Sequence, residues 1–303
     1  MLKGLDGYDK VEAAIKRLKA FEPPDGYYVA FSGGKDSQCV YHLCQMAGVK
    51  FDAHYNVVGV DPPELVQFIK DYYPDVQRDI PKDDEGKPIT MWNLIPKKLM
   101  PPTRIVRYCC EKLKECSGEG RVTVTGVRWE ESVRRKNIQG VVVVQGASKK
   151  DIAEAEKADA KINKNNIILN NDNDKARRIV ETCYAKRRIV VNPIVDWTEE
   201  DVWEFLNDVA KVPHCVLYDQ GKKRLGCIGC PMSTHAEEGL NAYPKYKQAY
   251  LRAFSRMLEE RRKRGIKCVW ENAEDVMAWW LQKKGAIDVL DGQIGMEEYM
   301  EEM

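Results

Sequence analysis

The chain carries almost no excess of charge: 48 lysines and arginines stand against 47 aspartates and glutamates in 303 residues. No chain-wide basic field therefore announces a nucleic acid or an anionic membrane, and any such binding must come from a local patch. Long apolar runs are also missing. No stretch approaches the roughly 20 residues a membrane-spanning helix needs, and Met1 to Lys10 lacks the apolar core of a signal peptide. These absences lead to the expectation of a cytoplasmic chain with no membrane partner. In that compartment the ten cysteines read as metal, redox or buried thiols before they read as a disulfide framework. No internal repeat is present, and the length suits one large domain or two smaller ones.

What is present begins with Ser32-Gly33-Gly34-Lys35-Asp36-Ser37, directly after the apolar run Tyr27 to Phe31. Two adjacent glycines let a backbone curl around an anion. The amides and dipole at the start of the following helix attract negative charge, Lys35 adds a mobile cation, and Ser32 and Ser37 add hydroxyl donors. The longer Gly-x4-Gly-Lys-Ser/Thr spacing of a Walker A loop is absent, so an ordinary kinase or GTPase is not implied. An ordinary glycine-rich turn opening a helix is the plainer alternative.

The turn sits in an alternating pattern. An amphipathic helix from Tyr8 to Phe21 precedes the first strand, a helix from Asp36 to about Met46 follows it, and Phe51 to Val58 reads as a second strand. Asp61-Pro62-Pro63-Glu64 then starts another helix. Strand-helix alternation implies a mostly parallel sheet with helices on both faces and a ligand crevice beyond the strands' carboxyl ends. Asp61 reads equally as a carboxylate beside a ribose or adenine and as a helix cap. Asp79 to Lys87 reads as an exposed polar loop, and Arg121 to Gly126 as a strand ending at the same crevice. Arg128, Arg134 and Arg135 beyond it carry the fork geometry that grips phosphate or sulfate, with Glu131 placed to orient one of them; a solvated helix start is the plainer reading.

Between Asn137 and Cys183 the pattern weakens. Val141 to Val144 reads as a strand, Glu154 to Lys161 as a short charged helix, and Asn163 to Asp174 as an asparagine-rich loop, together an insertion of about 137–185. Arg188 to Ile194 reads as a buried strand, and Thr198-Glu199-Glu200-Asp201 as a capping box before a helix with Trp203 and Phe205 in the core. Arg252 to Lys267 offers a local basic face, although Glu259, Glu260 and the helical spacing of Leu251, Phe254, Met257 and Leu258 favour an amphipathic surface helix. Trp270, Trp279 and Trp280 read as packing for the C-terminal helices.

The second chemical signal is Gly226-Cys227-Ile228-Gly229-Cys230-Pro231, whose Cys-x-x-Cys turn can bring two sulfurs to one metal centre. Cys109 and Cys110 complete a set of four thiolates, as used by structural zinc or an iron-sulfur cluster. Adjacent cysteines do not comfortably form a mutual disulfide but can reach different corners of a cubane, which favours iron-sulfur. Buried thiols with a redox Cys-x-x-Cys are the alternative, Cys116, Cys183 and Cys215 are substitute ligands, and Cys39, Cys44 and Cys268 read as packing.

The Ser32 to Ser37 turn resembles the PP-loop of the ATP pyrophosphatase (adenine nucleotide alpha-hydrolase) superfamily. Taken with Cys109-Cys110, Gly126-Val127-Arg128, Glu131-Ser132, Arg134-Arg135, Asn192-Pro193-Ile194, Asp196-Trp197, Asp201-Val202-Trp203 and Gly226 to Pro231, it resembles the phosphoadenosine phosphosulfate (PAPS) and adenylyl sulfate (APS) reductase family. It is also similar to the ATP pyrophosphatase subunit of DNA phosphorothioation systems and other PP-loop sulfur-transfer proteins. The resemblance implies a Rossmann-like, HUP-type α/β/α sandwich over 1–235 with a helical extension over 236–303. It implies an adenine nucleotide (ATP, or alternatively PAPS or APS) on Ser32, Gly33, Gly34, Lys35, Asp36, Ser37, Asp61, Gly126, Arg128, Arg134 and Arg135. Mg2+ would bridge the phosphates, and a 4Fe-4S cluster would sit on Cys109, Cys110, Cys227 and Cys230. Lys35, Asp36 and Arg128 would act in catalysis.

One departure redirects the expected chemistry. Sulfonucleotide reductases carry a C-terminal Glu-Cys-Gly-x-His segment whose cysteine attacks sulfur, whereas the last cysteine here is Cys268 and Asp291 to Met296 contains no thiol. Covalent transfer needs a nucleophile at the reacting atom. The expectation is therefore ATP-dependent, pyrophosphate-releasing sulfur transfer to a nucleic-acid (DNA or tRNA) or small-molecule acceptor, with a sulfur donor such as a cysteine desulfurase. A reductase using a partner thiol and a non-catalytic nucleotide-binding subunit are the alternatives, and a homo-oligomer is compatible with all three.

Overall fold

The computed structural model describes residues 2–281 apart from 5, 6, 159 and 185; Asp291 to Met296 lies outside the described residues. In chain order the elements are α1 (Lys10–Ala20), β1 (Tyr27–Ala30), α2 (Lys35–Ala47), β2 (Phe51–Asn56), α3 (Pro63–Tyr72) and β3 (Gln77–Asp79), then α4 (Met91–Lys98), α5 (Tyr108–Leu113) and β4 (Thr123–Val124). They continue with α6 (Val133–Ile138), β5 (Val142–Gln145), α7 (Lys149–Glu156), β6 (Lys161–Asn163), β7 (Asn166–Leu169), α8 (Asp174–Cys183) and β8 (Arg188–Val191). The last helices are α9 (Glu199–Glu204), which runs into a π-turn over Phe205–Val209, α10 (Ala236–Ala242), α11 (Pro244–Lys263) and α12 (Ala273–Leu281).

The eight strands form one sheet in the order β3-β2-β1-β4-β8-β5-β7-β6. Pairing is parallel from β3 through β8, with Val29 beside both Ala53 and Val124, and Val124 beside Val191. Parallel strands are covered on both faces and read as continuous apolar runs, and Tyr27, Tyr28 and Val29 of β1 and Ile189, Val190 and Val191 of β8 are all buried. This is the expected mostly parallel, Rossmann-like α/β sheet.

The segment expected as an insertion belongs to that sheet. Ile167, Ile168 and Leu169, expected within a loop, form β7 and pair antiparallel with Val144, Val143 and Val142. β5 in turn runs antiparallel to β8. The physical reason is burial: the three apolar residues are at most 2% exposed, and a two-residue turn after β6, with Lys164 at φ 52°, folds them back into the sheet. The charged helix expected over Glu154 to Lys161 lies earlier, at α7, because Ser148 and Asp151 form its capping box (Asp151 N–H to Ser148 Oγ 3.2 Å). The strand expected over Arg121 to Gly126 is only the two residues of β4.

Counted over the described residues, the chain forms two compact units. The first comprises Met1–Asn56, Pro63–Asp79 and Ser117–Leu225 and contains the whole sheet. Within it Arg17 forks onto both carboxylate oxygens of Asp196 (2.7 and 2.8 Å), which fixes α1 to the turn after β8. The expected capping box at Thr198 and Asp201 opens α9. Phe205 is fully buried, but Trp203 is only half-buried, its ring edge-on to His214 and Tyr218.

The second unit comprises Val57–Pro62, Ile80–Cys116 and Gly226–Met303. Val57–Pro62 and Ile80–Cys116 thus pack with the C-terminal helices. The cause is a shared apolar core: Ile95 of α4, Leu113 of α5, Tyr250, Phe254 and Met257 of α11 and Val276 of α12 are buried together. α11 is amphipathic as expected, and Trp270 and Trp280 are buried while Trp279 packs on Trp270 at 5.0 Å. Among the described residues no helix is long and apolar enough to cross a membrane.

Candidate functional site: a phosphate turn and a thiol cluster

In the sheet order, β2 and β3 lie to one side of β1, and the next strand, β4, lies on the other. Loops leaving two such strands diverge and open a crevice at the carboxyl ends. The Ser32 to Ser37 turn leaves β1 at this point, and Thr125 to Arg128 leaves β4. Gly126 lets these two loops approach, and Gly33 lets the turn lie against α3. Gly33 has φ +71°, and a Cβ there would lie 2.7 Å from the Ile69 side chain; a Cβ on Gly126 would lie 2.8 Å from the carbonyl carbon and oxygen of Asp36. Ser32 N–H donates to Ser37 Oγ (3.2 Å), whose hydroxyl donates to Gly34 O (2.8 Å), closing the turn on itself.

Lys35 is not the mobile cation the sequence suggested. It is 2% exposed, its ammonium donates to Lys223 O (3.0 Å) and lies 5.6 Å from the centre of the Tyr218 ring. Asp36 and Glu199 carboxylates stand 3.8 and 4.0 Å away. Its backbone N–H, at the first position of α2, donates to Tyr218 Oη (2.9 Å). Burial raises the Tyr218 pKa, a shift the Lys35 N–H only partly offsets, so the group is a neutral hydroxyl.

Arg128 is also buried, and its guanidinium is bound within the protein. Nε donates to Asp36 Oδ1 and Nη1 to Glu130 Oε2, both at 2.7 Å. Burial alone would lower its pKa; Asp36 and then Glu130 overcome that and raise it. Glu131 pairs with Arg135 and with Arg224 (3.3 Å), while Arg134 is exposed. Buried Asn192 holds the β4 exit, accepting from Thr125 Oγ1 (2.5 Å) and donating to Gly140 O (2.9 Å).

The second unit holds Asp61 and the four cysteines. Asp61 is 5% exposed and faces the Lys114 ammonium at 3.9 Å. Burial opposes the charge on Lys114, but Cys227 and Asp61 outweigh it and raise the pKa. A hydrogen bond from Cys109 lowers the Cys110 thiol to about 6 against the effect of burial, with Arg107 Nη2 donating to the same sulfur at 3.2 Å. Burial pushes Cys227 up to about 12, and Lys114 works against it. The Cys227 to Cys230 turn is pinned by Ile228 N–H to Val60 O (2.8 Å) and by Tyr250 Oη to Ile228 O (3.1 Å). The hydrogen bond with Cys110 and burial, with smaller contributions from the charges of Cys110, Cys227 and Cys230, raise the Cys109 thiol, so the other three thiols all act on it. Among the described residues, however, no three His, Cys, Asp or Glu side chains are set to hold a single metal ion.

Tyr218, Glu130, Glu199, Arg107 and Lys114 were not foreseen as site residues. Tyr218 lies 183 positions from Lys35, and no spacing rule reaches that far. Lys114 carried a local signal, four residues beyond Cys110 and so on the same helical side.

Fold and turn together define a PP-loop protein, a parallel α/β sheet with a short Ser-Gly-Gly-Lys-Asp-Ser phosphate turn at its switch point. Residues 26–233 match the model of the phosphoadenosine phosphosulfate reductase domain, and the chain belongs to that family. An uncharacterized protein of Methanocaldococcus jannaschii is 29% identical over 103 residues, 33% of this chain and 22% of its own length. The adenosine 5'-phosphosulfate reductase of Oceanobacillus iheyensis is 41% identical over 44 residues, 14% of this chain and 18% of the relative. This chain thus spans about a fifth of the length of these relatives. Among solved structures, Candida glabrata FMN adenylyltransferase aligns at TM-score 0.41 and 13% identity, covering 77% of this chain and 72% of that one.

Proposed function

We propose that this chain is an adenine-nucleotide-dependent PP-loop enzyme that transfers sulfur after adenylating an acceptor. The carrying observation is the Ser32 to Ser37 turn at the β1/β4 switch point of a chain that belongs to the PAPS reductase domain family. An acceptor oxygen would attack the α-phosphorus of ATP, releasing pyrophosphate and leaving an acceptor-AMP ester. Sulfide-level sulfur, supplied by a donor such as a cysteine desulfurase with a reductant, would then form the bond to the acceptor as AMP leaves. Lys35 and the amides opening α2 would stabilise the departing pyrophosphate, and Mg2+, when bound, would add charge neutralisation. Asp36 holds Arg128, and through it the β4 exit loop, against the turn.

Cys109, Cys110, Cys227 and Cys230 would hold a 4Fe-4S cluster. The influence of Cys110, Cys227 and Cys230 on the Cys109 thiol supports a shared centre, and four thiolates are the usual ligand set of such a cluster. When bound, it would supply a soft, redox-capable metal-sulfur centre to the second unit. The acceptor is a nucleic acid or a small molecule.

A second reading is favoured by the relatives: the 41% identical segment belongs to an adenosine 5'-phosphosulfate reductase. In that reading the nucleotide is PAPS or APS, and a partner protein supplies the thiol. Competitive binding of ATP, PAPS and APS to anaerobically purified protein, with iron and acid-labile sulfide measured on the same sample, decides between them. Preference for ATP, with about four irons per chain, supports sulfur transfer; preference for PAPS or APS overturns it, and sulfite release would then establish the reductase.

A further inference from the structure

Two donors of the PP-loop turn already have acceptors within the protein. The first amide of α2 gives its hydrogen to Tyr218 Oη at 2.9 Å, and the Lys35 ammonium gives one to Lys223 O at 3.0 Å. With Asp36, Glu199 and the Tyr218 ring filling the rest of its surroundings, Lys35 is 2% exposed. A buried ammonium cannot meet a ligand's phosphate while this shell is closed.

Its two hydrogen-bond acceptors, Tyr218 and Lys223, come from one short segment of the first unit. Its anchor residues Cys215 and Leu217 are buried, whereas Asp219, Gln220, Gly221, Lys222, Lys223 and Arg224 are all exposed. The chain reverses at Gly221, whose φ of +84° suits glycine. Little apolar burial opposes lifting Asp219 to Arg224, which carries the Lys223 carbonyl, and such segments open at low cost; the half-buried Tyr218 has only to turn its hydroxyl from the α2 amide.

We propose that Tyr218 and the Lys223 carbonyl form an internal clasp on the PP-loop, occupying its phosphate donors in the free chain and yielding them to the phosphates of an arriving nucleotide. The inference rests on the nucleotide reading given above. Tyr218 is then a positioning residue. It keeps Lys35 and the α2 amide satisfied and aimed while the site is empty, since buried donors without partners are costly. It also sets a threshold for entry: a ligand must replace both contacts at once, which a polyphosphate can do and a single neutral hydroxyl cannot. Trp203 reports the event, because its ring lies edge-on to Tyr218 at 5.1 Å.

The test is calorimetric titration of the full chain and of Tyr218→Phe with inorganic pyrophosphate and with ATP, alongside tryptophan emission, using Trp203→Phe to assign the signal. Phenylalanine keeps the ring beside Trp203 and under Lys35 and deletes only the oxygen. Removing one competing hydrogen bond should tighten binding by about twofold to tenfold, with the thermal midpoint lowered by no more than about 4 °C. In the wild-type chain, pyrophosphate should give a saturable Trp203 signal. A residue that merely supports the fold would move affinity the other way. Wild-type binding with unchanged or weaker affinity in Tyr218→Phe, or without a Trp203 response, overturns the clasp alone. No binding to either protein overturns the nucleotide reading and the clasp with it, whereas binding only to the variant supports both.

Discussion

Arg128 and Asp36 form a hydrogen-bonded ion pair, Nε to Oδ1 at 2.7 Å, that ties the exit loop of β4 to the first turn of α2. Both residues were expected at the nucleotide, and the structure gives them first to each other. The guanidinium side of the pair is only 4% exposed. Removing one partner of a buried pair leaves the other charge uncompensated, which typically costs about 3–5 kcal/mol. Glu130 remains on Nη1, so Asp36→Ala should lose about 2–3 kcal/mol in urea unfolding, and Asp36→Asn less.

Gly126→Ala tests the close approach of the two crevice loops. Its Cβ would stand 2.8 Å from the Asp36 carbonyl, and this neighbour is backbone, which cannot swing aside. Overpacking of this kind costs about 1–3 kcal/mol. Pyrophosphate affinity should fall at least about tenfold if the loops must part by a few tenths of an ångström at a preorganised site. The check is titration of the variant at a temperature where circular dichroism shows it folded.

The cysteines divide into two groups with opposite expected phenotypes. Ser in place of Cys109, Cys110, Cys227 or Cys230 should lower iron and acid-labile sulfide in anaerobically prepared protein while changing stability of the metal-free chain by less than about 1 kcal/mol. Cys39→Ala or Cys44→Ala should leave iron unchanged. Both side chains are fully buried, so each deletion should cost about 1–2 kcal/mol by leaving a small cavity. Equal iron in all six variants would remove the cluster assignment.

Asp201 makes stability depend on acid. Its carboxylate is buried, pairs with Lys10 and accepts the Thr198 N–H at 2.7 Å. Burial opposes ionisation, but Lys10 and the Thr198 amide outweigh it and hold the pKa down to about 2, below the unfolded value of about 3.9. A depressed carboxylate contributes stability that is present above the unfolded pKa and disappears as pH falls through the folded one. About 1–2 kcal/mol should therefore be lost between about pH 4 and pH 2. Urea midpoints across that window should show it, and Asp201→Asn should flatten the dependence while lowering stability at neutral pH.

Much of this molecule was legible because its signals are local. The strand-turn-helix of Tyr27 to Ala47 follows from an apolar run, two glycines and a helix start, all within interaction distance along the chain. The capping box at Thr198 and the amphipathic face of α11 are equally short-range. Where local polarity misled, burial decided: Ile167 to Leu169 sits among asparagines and reads as loop, yet pairs with Val142 to Val144 inside the sheet. Trp203 failed in the opposite direction, as a large aromatic that the sequence placed in the core and the fold left half-buried beside Tyr218.

The sequence by itself determined the strand-helix alternation from β1 to α3, the PP-loop turn, the four candidate thiols and the family these motifs belong to, because each is written in neighbouring residues. Only the tertiary structure decided that β4 rather than β3 lies beside β1, that 80–116 packs with the C-terminal helices, and that Lys35 and Arg128 begin with partners inside the protein. Those outcomes depend on contacts between residues far apart in the chain, such as Lys35 with Tyr218 and Arg128 with Asp36. Such contacts are selected by burial and by the need of every buried charge for a partner, and neither requirement leaves a fixed spacing in the sequence.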